Sequence, residues 1–295
     1  MKLVTIIVVS FNHSSFIIEC LNSIKNQTYK QIQLIILDDN SSDNTVEIIK
    51  NWLFENKIKA ICKFNQENIG ITSTLNNSLK EIKGEYVKII SADDFLDIHN
   101  IDCSVSFLES NDLKYGMVCT DTWVVNSKSE LLEDMADYNA LLNIDKLELR
   151  EKLVVGNRIA ALTVLMKTDV LKITGLYDET LNLEDYDRWL RINEISWIGY
   201  IPEKLSFYRI HGNNESIIRK DKHQEDYLYL RMKYDKKGLG CKLINDEVET
   251  LYLNNKINIR IKQIYLKYPK RNFLMSLFIK LNINNQYYKF LKNIK

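Results

Sequence analysis

A chain of 295 residues with 45% hydrophobic and 27% charged side chains has an ordinary globular composition, long enough for one large α/β core and an appendage. It contains no run of about 18 uncharged apolar residues, no small-residue cleavage site behind Met1-Lys2-Leu3, and no Cys-x-x-Cys pair among Cys20, Cys62, Cys103, Cys119 and Cys241, which argues against a membrane span, a signal peptide, a zinc site and a disulfide framework and favours a reduced, cytoplasmic setting. The net charge of +1 hides an asymmetry: residues 256–295 hold ten Lys or Arg and no acid, which leaves 30 basic and 39 acidic residues in the rest, a balance of −9.

Leu3 to Val9 is a continuous β-rich run, the pattern of a strand buried on both faces. After the polar loop Ser10 to Ser15, Ile17, Cys20, Leu21 and Ile24 recur at helical spacing. Ile32 to Leu37 repeats the strand signature and ends at Asp38-Asp39-Asn40-Ser41-Ser42-Asp43. A helix follows, with Asn44 and Glu47 in capping-box relation and Val46, Ile49 and Leu53 on its buried side. Ala60 to Phe64 reads as a third strand. Leu75, Leu79 and Ile82 mark a helix closed by Gly84. Tyr86 to Ile90 is a fourth strand that ends at Ser91-Ala92-Asp93-Asp94. Strands and helices that alternate in this way predict parallel βαβ units.

From Ile101 to Ile210 the pattern is mixed. Val118 to Val125 and Leu162 to Met166 read as strands and Leu183 to Ile195 as a helix. Trp197 to Ile201 and Leu205 to Ile210 read as two strands parted by Pro202. Beyond Ser216 the chain is helical and charged. The expected organisation is a nucleotide-binding half over 1–100, a catalytic and acceptor-binding half over 101–215, and a basic helical extension over 216–295.

In open α/β sheets ligands bind at the carboxyl ends of the strands, where Ser10/Asn12, Asp38/Asp39 and Asp93/Asp94 fall. A carboxylate pair after a buried strand suits a hard divalent cation that completes its shell with substrate phosphates, although Asp is equally a helix cap. One of Asp38 and Asp39 can accept hydrogen bonds from a nucleobase or ribose, or simply close an Asx turn. Glu184-Asp185 opens a helix, where acidic residues complement the dipole; one of them can also serve as general base for an acceptor hydroxyl. His211 sits on a turn as a candidate metal or diphosphate contact or a plain loop histidine. His13, His99 and His223 show no supporting partner in the sequence. G-x-G-x-x-G, P-loop, G-x-S-x-G and H-E-x-x-H motifs are absent.

The order of these segments carries more than any one of them. Val8-Val9-Ser10-Phe11-Asn12-His13, Leu37-Asp38-Asp39, Asn68-Ile69-Gly70, Ser91-Ala92-Asp93-Asp94 and Glu184-Asp185 together resemble glycosyltransferase family 2 over about residues 1–215. The spacers Gly84-Glu85-Tyr86 and Gly175-Leu176-Tyr177-Asp178-Glu179 are similar too. The resemblance implies a GT-A fold, an inverting single displacement and a nucleotide-diphosphate sugar donor, a UDP-sugar. It implies that Asp39 contacts the base, that Val9 and Phe11 line its pocket, and that Asn12, Asn68, Ser91 and Ala92 belong to the nucleotide site. Asp93, with Asp94 and His211, would hold Mn²⁺ or Mg²⁺, and Asp185, beside Glu184, would be the base. Ser91 stands where the first Asp of the family's D-x-D motif is commonest, so that position brings no charge to the metal.

The implied acceptor is a glycan or lipid-linked hydroxyl in surface polysaccharide synthesis, met by variable loops over Asp121 to Arg158. A nucleotidyltransferase would need a Gly-rich basic loop that Ser10 to Ser15 lacks; a nucleotide-sugar-binding or scaffolding protein without turnover is the non-enzymatic alternative. In the basic tail, Ile257, Ile259, Ile261, Ile264 and Leu266 interleave with Arg260, Lys262 and Lys267, and Phe273 to Ile279 is apolar. That suits either a packed helix or peripheral docking on an anionic membrane face. No recognised motif accompanies the charge to suggest nucleic acid.

Overall fold

The computed structural model describes residues 1–111, 113–132, 144–212, 214 and 220–293. The first apolar run forms β1 (Val4–Ser10), buried at every position. Helix α1 (Ile17–Lys25) buries the stripe Ile17, Cys20, Leu21 and Ile24 that its spacing predicts. Strand β2 (Ile32–Asp38) is followed by α2 (Thr45–Asn56), which buries Ile49 and Trp52, with Val46 and Leu53 only half-buried. The expected capping box does not form: Asn44 makes no side-chain cap. Asp43 takes that place, accepting from Thr45 N and Ser14 N at 3.0 Å each.

Strand β3 (Ile61–Phe64) and α3 (Ile71–Ser78) lead into a 3-10 turn over Leu79–Glu81, so the helix expected to run through Ile82 ends a turn early. Gly84 is no helix cap. It passes against the first strand, where an added Cβ would lie 2.6 Å from Thr5 N and 2.7 Å from Leu3 O. Strand β4 (Tyr86–Ser91), β5 (Phe95–Leu96), α4 (Asn100–Ser110) and β6 (Tyr115–Val125) follow, then α5 (Lys146–Val155), β7 (Val164–Lys167), α6 (Thr168–Ile173) and α7 (Glu184–Ile195). The two strands expected around Pro202 are one, β8 (Trp197–Arg209). Its pairing with β6 steps from Thr120↔Ile201 to Asp121↔Lys204, leaving Pro202 and Glu203 out of the ladder as a bulge. A residue without an N–H is tolerated there without breaking the strand.

The strands form one eight-stranded sheet in the order β3-β2-β1-β4-β7-β6-β8-β5. Its first four strands are parallel, in register Val4↔Ile32 and Val4↔Tyr86. The other half is mixed: β7 runs antiparallel to β4 and β6, β8 parallel to β6, β5 antiparallel to β8. The sheet and its helices form one compact unit, residues 1–146 and 158–214; residues 147–157 and 215–295 form a second.

The second unit is helical: α8 (Lys220–Tyr234), α9 (Cys241–Leu253), α10 (Ile259–Lys267), α11 (Phe273–Lys280) and α12 (Asn285–Asn293). Its own core includes Leu228, Met232, Ile244, Val248, Ile261, Tyr265 and Phe278. Asp235, 2% exposed, accepts from Leu239 N, Gly240 N and the Tyr268 hydroxyl, closing the turn into α9. Among the described residues no helix is long and apolar enough to cross a membrane. Residues 133–143, within the expected acceptor segment, lie outside the described residues, as do 215–219 at the expected start of the extension.

Candidate active site

The strand order reverses at β1, which has β2 on one side and β4 on the other, and the carboxyl ends of such strands are where open α/β sheets place a ligand site. Hydrogen bonds between the loops shape it. Ser10 Oγ donates to Asp38 Oδ2 at 2.7 Å, and Ser41 N and Oγ bond the same carboxylate at 2.8 and 2.6 Å. Asp38 therefore closes the Asx turn that its neighbours permit. Asn12 adopts the left-handed conformation, φ 56°. Its N donates to Ser41 Oγ and its Oδ1 accepts from Ser42 N, both at 2.8 Å, so the loops after β1 and β2 are laced together.

Asp39 is 4% exposed and tied to the next loop along. Its Oδ1 accepts from Asn65 Nδ2 and Ile69 N at 2.9 Å and from Thr74 Oγ1 at 3.1 Å, while Oδ2 accepts Gly70 N at 2.8 Å. The side chain expected to meet a nucleobase thus also fixes the Asn68-Ile69-Gly70 segment. A carboxylate has about four acceptor positions, and Oδ2 takes only one of these donors. Val9 is buried and Phe11 is 38% exposed at the same end of β1, with Asn68 exposed and Ser91 half-buried. Ala92 is fully buried and its N donates to Val9 O at 2.9 Å, which pins the end of β4 to the end of β1.

Beyond Ala92 the chain turns Asp93 toward two histidines. Asp93 Oδ2 lies 3.0 Å from His211 Nε2 and 3.8 Å from His13 Nε2. One ligand atom from each of the three fits within a 4.8 Å span. Asp93 Oδ1 and His13 Nδ1 are buried with no hydrogen-bond partner. Burial opposes ionisation of Asp93, but the hydrogen bond from His211 and the nearby His13 outweigh it and hold its carboxyl below the usual range. Burial lowers the pKa of His13 and outweighs the charge of Asp93, which raises it. A neutral imidazole and an ionised carboxylate are the ligating forms of both groups.

Asp94, expected beside Asp93 at the metal, is turned elsewhere: its Oδ1 accepts Arg209 N at 2.9 Å. Burial and then the charge of Asp93 push its pKa well up. Arg209, 1% exposed, organises this corner. Its Nε donates to Asp93 O at 2.7 Å, its guanidinium reaches Ser129 Oγ at 3.0 Å and Glu19, and it stacks 4.8 Å from the centre of the Phe16 ring. The Phe16 ring in turn lies 4.8 Å from that of His211.

Glu184 and Asp185 occupy the first turn of α7, both half-buried. Ser196 alone joins α7 to β8. The Arg188 guanidinium donates to Thr174 Oγ1 and Gly175 O, at 2.5 and 2.8 Å, and Arg191 pairs with Asp187.

Sequence reasoning passed over His13 and Arg209. The signal for His13 was topological. Adjacent parallel strands bring the loops at their carboxyl ends together, so a histidine three residues past β1 must approach an aspartate two past β4.

The profile described as Glycosyl transferase family 2 matches residues 5–167, more than half of the chain. The chain belongs to glycosyltransferase family 2. The matched span carries Asp39 and Asp93 and stops before Glu184 and Asp185. An uncharacterized glycosyltransferase of Rickettsia typhi is 31% identical over 214 residues, covering 71% of this chain but only 64% of its own length. The crystal structure of S. aureus TarS 1-349 in complex with UDP-GlcNAc matches this glycosyltransferase-family chain with a TM-score of 0.64 at 15% identity, over 97% of this chain and 89% of that one. The mannosyltransferase PcManGT from Pyrobaculum calidifontis, in complex with GDP-Man and Mn²⁺, matches with a TM-score of 0.64 at 16% identity, over 95% and 79%. At that identity the likeness is one of fold: the expected GT-A architecture.

Proposed function

We propose that the chain is an inverting glycosyltransferase that moves a sugar from a nucleoside diphosphate donor, a UDP-sugar, to a hydroxyl of a glycan or lipid-linked acceptor. The observation that carries this reading is the cluster of His13, Asp93 and His211 at the switch point of the sheet, with an unpartnered oxygen and an unpartnered nitrogen buried among them. That donor set fits a divalent ion. Two imidazoles and one carboxylate suit Mn²⁺ better than Mg²⁺, which favours oxygen ligands. When bound, such an ion offsets charge on a diphosphate leaving group.

The remaining work belongs to the chain itself. Asp39 Oδ2 keeps an acceptor position for one N–H of the base, while Val9 and Phe11 flank it. Arg209 holds the backbone of Asp93 so that its carboxylate stays aimed at the histidines. Asp185 accepts the proton of the acceptor hydroxyl as that oxygen attacks the anomeric carbon; the bond to the diphosphate breaks on the opposite face, and the configuration inverts.

The test is thermal melting with UDP, GDP, TDP and CMP, each with Mn²⁺ or chelator. A ligand at about 100 times its Kd adds roughly 2.7 kcal/mol, a visible shift. A shift with UDP that chelator removes is expected; no shift with any nucleotide would sink the donor site. Asp185→Asn should keep that shift and lose transfer, and retained transfer would remove the base assignment.

A further inference from the structure

The basic tail divides in two. Its first half is packed: Ile261 and Tyr265 are fully buried on α10, and Arg260 pairs with Asp226 at 2.8 Å while stacking 3.9 Å from the centre of the Tyr229 ring. Its second half keeps large apolar side chains outside. Helix α11 buries Met275, Phe278 and Ile279 but leaves Phe273 80%, Leu277 39% and, at its C-cap, Leu281 59% exposed, spaced at i, i+4 and i+8. Helix α12 packs on it through Tyr288, whose ring lies 5.3 Å from that of Phe278, and exposes Tyr287 at 66%, Phe290 at 65% and Leu291 at 43%. Lys267, Lys270, Arg271, Lys280 and Lys289 are exposed along the same stretch of chain, and residues 256–295 contain no acid.

We propose that the outer faces of α11 and α12 dock this unit on an anionic lipid bilayer, with the aromatic and aliphatic side chains entering the interface and the lysines pairing with headgroups. Exposed aromatic residues and cations on helices that carry no acid of their own match an interfacial helix surface. A second copy of the chain is a poorer occupant. A two-fold contact would bring the same cations together with no acid from either helix to offset them.

Cosedimentation of the full chain with vesicles tests this, using phosphatidylcholine alone and a three-to-one mixture with phosphatidylserine. Binding to the mixture and not to phosphatidylcholine alone is expected. Each basic residue at an anionic surface multiplies partitioning about fivefold, so Lys267→Gln, Lys280→Gln and Lys289→Gln together should weaken binding about a hundredfold. Phe273→Ser with Phe290→Ser, both at exposed positions, should weaken it as well, with the melting temperature unchanged. No binding to the mixed vesicles, or equal binding by both variants and the parent, overturns the proposal. So does a parent that sediments as a dimer which the Phe variant dissociates. Donor binding at the sheet is read separately by melting with UDP and Mn²⁺, so either result stands without the other.

Discussion

His13 makes the case for reading residues through the fold that holds them. In the sequence it is one of four histidines and has no distinguishing neighbour. In the structure its Nε2 stands 3.8 Å from Asp93 Oδ2, and its Nδ1 is buried without a partner. A buried polar atom left unpaired costs stability unless something completes it, and here two neighbouring groups can ligate the same ion. His13→Ala should therefore weaken Mn²⁺ binding by about tenfold or more while leaving the metal-free protein's melting temperature close to the parent's. Titration of Mn²⁺ followed by electron paramagnetic resonance reads this directly. Equal affinity in the variant would show that Asp93 and His211 suffice.

At the scale of elements, much of the architecture was legible because short buried strands and amphipathic helices leave distinct periodicities. The stripe on α1 and the acidic turns after β2 and β4 could be read from spacing alone. The boundaries that shifted did so for tertiary reasons. Pro202 reads as a break, yet a bulge against β6 absorbs it. Gly84 reads as a helix end, but its lack of a side chain serves the approach of the segment before β4 to the first strand. An alanine substitution makes the difference measurable. In Gly84→Ala the new Cβ would press on Thr5 N, Leu3 O and Tyr86 O, all within 2.7 Å and all backbone, so nothing can swing aside. We expect a loss of about 1–3 kcal/mol in denaturant unfolding; a cap lost from a helix that had already ended would cost nothing. The candidate metal cluster was only half legible, because His13 and Asp93 are 80 residues apart and meet only once β1 and β4 are neighbours.

At the scale of the whole molecule, the chain divides into two compact units, and all four tryptophans, at 52, 123, 189 and 197, belong to the first. Tryptophan fluorescence therefore follows the sheet unit alone, and that unit contains an unusual charge. Lys88, in the middle of β4, is fully buried, its Nζ 3.3 Å from Val164 O. Burial drives its pKa down to about 7, opposed only by nearby Cys119, whose own thiol burial pushes up to about 12. Between about pH 7 and the ordinary lysine value of 10.5, the unfolded chain then binds one proton more than the folded one. Stability must rise with pH through that window, at most by roughly 1.4 kcal/mol per pH unit from this group. Lys88→Met keeps the volume and removes the charge. It should raise the fluorescence-detected melting temperature most at neutral pH and below, and the gap to the parent should close as pH climbs toward 10.5. A gap that stays constant with pH would mean that Lys88 is protonated, or unprotonated, throughout, and that the sheet accommodates it by some other route.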